Sequence, residues 1–303
     1  MPETKVISFF RYFPVSDRDL KWGLHVTTAG QERIPAHTAQ YPMGNHPNGY
    51  AFTWEKGRVF HDFAIVYLSG GRGWFESRHT PRQRIESGTA LMLFPGIWHR
   101  YMPDPDIGWF QYWVGFNGET PRRWVKDGFF TSKKPVFRIN REELFIKTFA
   151  DLLDAVKANQ PALQQVMASA TGYLLSQIYS AQQANTSGQT PVVAAIREAL
   201  RRMHEQTGAE IDAEKLALEL KVSYIWFRRA FLQHTGLSPH QYHLQLRIAR
   251  ARSLLSDTTL TIQQTAYETG FESGPYFCRL FKTKTGLTPG QWREQSRSGR
   301  IKA

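Results

Sequence analysis

Gly270–Pro289 reads GFESGPYFCRLFKTKTGLTP, and Ser223–Pro239 reads SYIWFRRAFLQHTGLSP. In register, Ser223 falls on Ser273, Phe227 on Phe277 and Arg229 on Arg279. Phe231 falls on Phe281, Gly236 on Gly286 and Pro239 on Pro289, all at one offset of 50 positions, 223 against 273. So many matches at one offset mark two similar structural units. Each unit has a helix-turn-helix pattern. In the first, Asp212 caps a short helix, a turn follows at Lys221-Val222, and Ser223 caps the next helix. In the second, Thr261 with Gln264 forms a capping box, Gly270 ends the helix in a left-handed conformation, and Ser273 caps its successor. Ala217 and Ala266 suit a close helix crossing. Phe227/Phe231 and Phe277/Phe281 recur four apart and are expected to face the core.

Ser238–Asp257 between the units reads as one long helix, capped by Ser238 and started by Pro239, with an apolar face of Tyr242, Leu246, Ala249 and Leu254. Such a helix of about 17 residues spans roughly 25 Å and can hold two reading helices about one DNA turn apart.

The chain has 303 residues, enough for about two domains, and 41% of them are hydrophobic, which supports packed cores. Its formal net charge is +12. Residues after 190 carry more than half of that excess in about a third of the chain. This suggests a polyanion partner, although charge alone fits a soluble basic surface equally well. Cys278 is the only cysteine, which excludes an internal disulfide and a multi-cysteine zinc site. No apolar run approaches the roughly 20 residues of a membrane span, and MPETKVISFFRYFPVSD lacks a signal pattern, so a cytoplasmic protein is expected.

Upstream, short apolar runs alternate with turn signals: FAIVYLSGGRGWFES (63–77), IESGTALMLFPGIWHRYMPDPD (85–106) and GWFQYWVGF (108–116). They read as a β-sandwich or barrel, with hairpins expected at Gly70–Gly73 and Pro103–Gly108. From Arg141 to Gln182 the period becomes helical. Pro161 suits the first turn of the second helix there, and Leu163, Val166, Ala170, Tyr173, Leu174 and Ile178 form one stripe. That stripe fits packing on the β domain or a seam between two subunits. SAQQANTSGQTP (180–191) reads as a linker.

The repeated stretches closely resemble the DNA-binding domain of the AraC/XylS family of bacterial transcription regulators. Residues 40–118 resemble, less specifically, the cupin-like effector-binding half of that family. The resemblance implies a two-domain α+β chain. Its N-terminal half is a cupin-like β-barrel or sandwich with dimerisation-type helices; its C-terminal half is all-α with two helix-turn-helix units. The expected division is 1–138 for the effector domain, 139–182 for a helical pair, 183–190 for a linker, 191–297 for DNA binding and 298–303 for a basic tail.

The resemblance also places Ser223, Tyr224, Ile225, Arg228 and Arg229 toward DNA in the first unit, and Ser273, Gly274, Pro275, Tyr276 and Arg279 in the second. Arginine can reach guanine edges bidentately. Lys282 and Lys284 suit phosphate, a contact that positions without reading sequence. Leu232 stands where the second unit has Lys282, and Gly274-Pro275 leaves the second reader little side chain at its tip. Cys278 aligns with Arg228, as a small tolerated helix residue or a redox-sensitive one.

In the β half, Gly88, Pro95, Gly96 and His99 echo a cupin motif and raise the alternative of a metal-dependent cupin enzyme with a DNA-binding tail. Against it, no His-x-His occurs, and the nearest upstream ligands are His61, Glu76 and His79. No Gly-x-Ser-x-Gly or phosphate-loop motif is present either. No catalytic residue, metal or cofactor is expected. A non-catalytic pocket for a sugar effector is. Gln111 and Trp113 are two apart and share a strand face. With Tyr101 they fall at sugar-contact positions by resemblance; Trp98, His99 and Arg72 are further candidates, and His46 a weaker one. Core filling is the alternative role for these aromatics. The expected partners are double-stranded promoter DNA, a small-molecule effector of sugar type or of another class, and a second copy of the chain, with RNA polymerase a further candidate. An activator is expected, a repressor being the alternative.

Overall fold

The computed structural model describes residues 8–38, 41, 53–187, 191–257 and 259–297. The chain divides into two compact units, Met1–Thr186 and Ser187–Ala303.

The first unit contains β1 (Ser8–Tyr12), α1 (Asp17–Lys21), β2 (His25–Ile34), β3 (Arg58–Val59), β4 (Phe63–Ser77), β5 (Thr80–Glu86), β6 (Thr89–Leu93), β7 (Trp98–Pro103) and β8 (Trp109–Asn117). It continues with α2 (Glu119–Lys126), β9 (Val136–Arg138), α3 (Glu142–Ala158) and α4 (Leu163–Ser187). One layer runs β1-β2-β8-β4-β6-β9; β5 and β7 join at the far half of β4, and β3 pairs with β7. All pairings are antiparallel.

Strand β4 organises this unit because both its faces are buried. Alternation sends Phe63, Ile65 and Tyr67 into a core shared with α3 and α4, and Ala64, Val66 and Leu68 into the core between the sheets. Its first half pairs with β6 and β8, its second with β5 and β7. The hairpin expected at Gly70–Gly73 does not form; the strand runs through and changes sheet. The register against β8 shifts between Leu68 and Gly70. Gly71 has φ +81, and a Cβ there would strike the Gly108 carbonyl and the Trp109 Cα. Glycine thus serves a close backbone approach rather than a turn. Pro103–Gly108 does turn, held by Gly108 N–H donating to the Asp104 carbonyl at 2.8 Å. It is not a hairpin, however: β7 pairs with β3 and β4, β8 with β2 and β4.

Helix α4 packs Met167, Ala168, Leu174, Leu175, Ile178 and Ala181 into the core it shares with the sheet. The expected stripe is therefore rotated: Leu174 and Ile178 are buried, but Val166 and Tyr173 are exposed. Pro161 lies before the helix, followed by Ala162 with φ 54. The linker expected over 183–190 is helical as far as Ser187. Alanine and glutamine favour helix, and polarity by itself does not mark a linker. Residues 188–190, the tail 298–303 and His46 lie outside the described residues.

The second unit is helical throughout: α5 (Pro191–Glu205), α6 (Ala213–Glu219), α7 (Tyr224–Thr235), α8 (Pro239–Asp257), α9 (Ile262–Glu268), α10 (Gly274–Thr285) and α11 (Pro289–Arg297). The sequence repeat becomes a geometric repeat. Thr235 Oγ1 donates to the Phe231 carbonyl at 2.8 Å, as Thr285 Oγ1 does to Phe281 at 2.8 Å. Gly236 and Gly286 follow with φ 76 and 79. Ser238 with Gln241 and Thr288 with Gln291 then exchange the same pair of capping hydrogen bonds. Asp212, Thr261 and Ser273 cap their helices through their side chains. Ser223 holds the cap position of α7 without a side-chain cap bond.

Each helix-turn-helix has its own core. Phe227 and Phe231 sit with Ile196, Met203 and Leu216; Phe277 and Phe281 sit with Ile248, Leu255 and Trp292. Helix α8 serves both, with Tyr242 and Leu246 on the first core and Ile248, Ala251 and Leu255 in the second. Its single expected apolar face is corrected, since Ala249 is exposed and Leu254 half-buried. A helix clamped between two cores needs two faces. The two helix-turn-helix motifs also touch directly: a Cβ on Gly270 would lie 2.6 Å from the Gly208 carbonyl. Arg247 Nε donates to the Thr269 carbonyl at 2.8 Å, and its guanidinium lies 3.9 Å from the Phe271 ring centroid.

Candidate nucleic-acid interface and effector cavity

The buried faces of α7 and α10 leave a matching exposed face on each. On α7, Ser223, Ile225, Arg228 and Arg229 are exposed, while Tyr224 is half-buried against the first core. On α10, Ser273, Pro275, Tyr276, Arg279 and Lys282 are exposed and Gly274 is half-buried. Cys278, the counterpart of Arg228, is half-buried against the second core. Leu232 is exposed where the second unit has Lys282. The basic side chains differ in their partners. Arg201 and Arg202 of α5 are paired with Glu198, Glu205 and Glu219. Arg228, Arg229, Arg279 and Lys282 enter no ion pair among the described residues. Arg201 and Arg202 are neutralised within the fold; the charge of Arg228, Arg229, Arg279 and Lys282 on α7 and α10 stays available to an outside anion.

In the β unit, a cavity of about 200 Å³ opens between the sheets. Tyr101 of β7 and Gln111 and Trp113 of β8 line it, as their strand alternation requires. Tyr12, Thr28, Tyr41, Arg58, Phe60, His61, Asp62 and Val66 complete much of the wall. Tyr41 Oη donates to Gln111 Oε1 at 3.3 Å, and Gln111 Nε2 to Glu32 Oε2 at 3.5 Å. Glu32 is buried, which raises its carboxyl pKa, although hydrogen bonds from Ser8 and Gln111 oppose the rise. Trp113 Nε1 donates to Thr28 Oγ1 at 3.4 Å. The Arg58 guanidinium lies 4.5 Å from the Phe60 ring and 4.8 Å from the Tyr101 ring.

Three expected residues do not line this cavity. Arg72, on the far half of β4, pairs with Asp104 at 2.7 Å. Trp98 points outward on β7 and donates from Nε1 to the Lys56 carbonyl at 2.8 Å. His99 lies behind the wall, stacked on Tyr101 with centroids 6.1 Å apart and planes within 9°. Its Nδ1 meets the Ile97 carbonyl at 3.0 Å, so the proton belongs on Nδ1. Residues the sequence reading missed line the cavity, among them Tyr12, Thr28, Tyr41 and Arg58, and the pairing of β2 with β8 sets Glu32 opposite Gln111 to hold its amide. No spacing within either strand signals that pairing. The potential metal ligands also separate: Glu76 binds Arg100 at 2.6 Å, His79 meets Ser132 at 2.9 Å, and His61 lines the cavity.

Burial first, and then the Arg58 charge, push the His99 pKa down to about 4 from 6.5. Above pH 6.5 the ring is neutral folded or unfolded, and the stability it permits is fully present. As pH falls toward 4, the unfolded chain gains a proton that the folded chain refuses. Stability at pH 4 is therefore expected to drop by about 3 kcal/mol through this residue. Ring titration by NMR in the folded protein checks it; a midpoint near pH 6.5 would refute it.

Comparison with known proteins matches both regions of the chain. A helix-turn-helix domain model matches residues 216–295, and an AraC-like ligand binding domain model matches residues 37–176. The chain belongs to the AraC family of transcription regulators. Among relatives of this AraC-family chain, the MmsAB operon regulatory protein of Pseudomonas aeruginosa is 25% identical, covering 78% of the chain and 76% of the relative. The transcriptional activator RhaS of Salmonella schwarzengrund is 24% identical over 87% of the chain and 91% of its own length. The raffinose operon regulator RafR of Pediococcus pentosaceus is 22% identical over 80% and 88%. These relatives are named as regulators rather than enzymes. The AraC-family protein described here is a DNA-binding regulator of transcription with a small-molecule-binding β unit. No described helix is long and apolar enough to cross a membrane.

Proposed function

We propose that a sugar held between the sheets of the β unit controls how α7 and α10 meet promoter DNA. The observation that carries this reading is the cavity at Tyr101, Gln111 and Trp113. Its aromatic faces suit the C–H surface of a sugar, and its amide and hydroxyls suit the OH groups. The relative named for a raffinose operon supports the same ligand class. The relative named as an activator supports activation of transcription, with RNA polymerase as partner. The reading helices contact bases through Ile225, Arg228, Arg229, Pro275, Tyr276 and Arg279. Tyr224, Ser223, Ser273 and Gly274 set the entry of those helices, and Lys282 meets phosphate.

The protein acts in the cytoplasm as a homodimer. Its effector domain and helical pair precede the break near 187, and its DNA-binding domain follows from 191. Exposure of Val166 and Tyr173 on α4 supports a subunit seam there.

Thermal unfolding with a panel of pentoses and hexoses tests the ligand. One sugar at a hundredfold excess over its Kd should stabilise the wild type by about 2.7 kcal/mol. Gln111→Ala should lose most of that gain and keep its unliganded melting temperature within a few degrees. No shift with any sugar ends the sugar reading. A shift that leaves affinity for promoter DNA unchanged ends the coupling between the two units.

A further inference from the structure

Trp226 belongs to neither core of the helical region. It sits in the first turn of α7 and is 66% exposed, beside Ile225 at 78%. The repeat sets Tyr276 at the same place in α10, and that ring is 48% exposed. Both units therefore display an exposed aromatic side chain there, Tyr276 resting against the Phe271 ring with centroids 6.3 Å apart and Trp226 lying outside the first core. At about 100° per residue, Ile225, Arg229 and Trp226 share one arc of α7. Phe227 and Phe231, fully buried, occupy the opposite side. The apolar surface is thus continuous with arginines that enter no ion pair among the described residues. The DNA major groove presents the complementary mixture: phosphates and guanine edges for arginine, and the thymine 5-methyl group for apolar contact.

We infer that Trp226 reads thymine in the first half-site by packing its ring on the 5-methyl group, with Ile225 bordering that ring. The inference rests on α7 being a DNA-reading helix. An indole has one donor and no acceptor, so its selectivity comes from apolar contact rather than bidentate hydrogen bonding. In the second unit Pro275 replaces Ile225 and Tyr276 brings a hydroxyl. The two half-sites consequently differ, the first depending on thymine methyl groups and the second much less.

The test uses full-length protein and duplexes that it selects from a random-sequence pool. Each thymine of the selected site is replaced in turn by deoxyuridine, which pairs identically but lacks the methyl. Loss of one methyl contact is expected to weaken binding about fourfold at one or two positions in one half-site. Trp226→Ala should bind thymine and deoxyuridine duplexes equally and melt like the wild type, since the ring is exposed. Arg229→Ala should weaken both duplexes while keeping their ratio, which separates methyl reading from general DNA affinity. Equal wild-type binding of thymine and deoxyuridine at every position overturns the inference, as does discrimination that survives Trp226→Ala. Trp226→Ala that keeps wild-type DNA binding but loses transcription with RNA polymerase assigns the ring to the polymerase and overturns it too. Failure to select any duplex refutes the DNA-reading role itself.

Discussion

Phe281→Ala is expected to destabilise the helical unit by about 3–5 kcal/mol and to remove its DNA binding at growth temperature. Phe281 is fully buried, 5.5 Å from the Phe277 ring and 6.0 Å from the Trp292 ring. It joins α10 to α11 and, through the same core, to Ile248 and Leu255 of α8. Truncation leaves a cavity that three helices cannot close together, because α8 is also held by Tyr242 and Leu246 in the other core. A loss of that size is a large share of the roughly 5–15 kcal/mol available to a domain. Phe231→Ala should produce a similar loss through the first core. Urea unfolding of the full chain, with the helical transition resolved by far-ultraviolet dichroism, measures both. A loss under about 1 kcal/mol at Phe281 would mean that the second unit is not packed as described.

Gly71→Ala is expected to disrupt the β unit, with a stability loss of about 3–5 kcal/mol. Two penalties combine there. The residue has φ +81, and the new methyl group would meet the Gly108 carbonyl and Trp109 Cα, which are backbone atoms and cannot rotate away. Gly96→Ala is the control, having φ +73 but nothing within 4 Å of an added Cβ. It should cost only about 1–2 kcal/mol, the conformational part alone. Thermal melts of the two variants separate crowding from strain. Equal melting temperatures would contradict the sheet change at Gly71. Because β4 carries Val66 of the cavity wall and pairs with β7 and β8, Gly71→Ala should also abolish the sugar-induced shift.

These two substitutions mark the difference between the halves. Phe231 and Phe281 are legible as core because they sit four residues after Phe227 and Phe277, inside capped helices. Gly71 is not legible in the same way, because φ > 0 serves a turn and a sheet change equally well. Gln111 and Trp113 are readable as one strand face from their spacing. Arg72 and Trp98 are misread because their strands leave the cavity: Arg72 stands beyond the sheet change, and Trp98 has the opposite parity to Tyr101. Thr28, Tyr41 and Arg58 of the cavity wall carry no local signal at all. Trp226 is a different omission, since its alignment with Tyr276 was available but the exposure that gives the alignment meaning was not.

By itself, the sequence determined the doubled helix-turn-helix, its caps and its two phenylalanine cores. Helical hydrogen bonds and side-chain contacts act over three or four residues, so their pattern is written locally and the 50-residue repeat writes it twice. Tertiary structure decided the effector cavity, the pairing of Arg202 with Glu219 of α6, and the exposure of the basic side chains on α7 and α10. Those properties depend on strands and helices distant in the chain meeting in one register, and the residues on either side of such a meeting do not encode their partner.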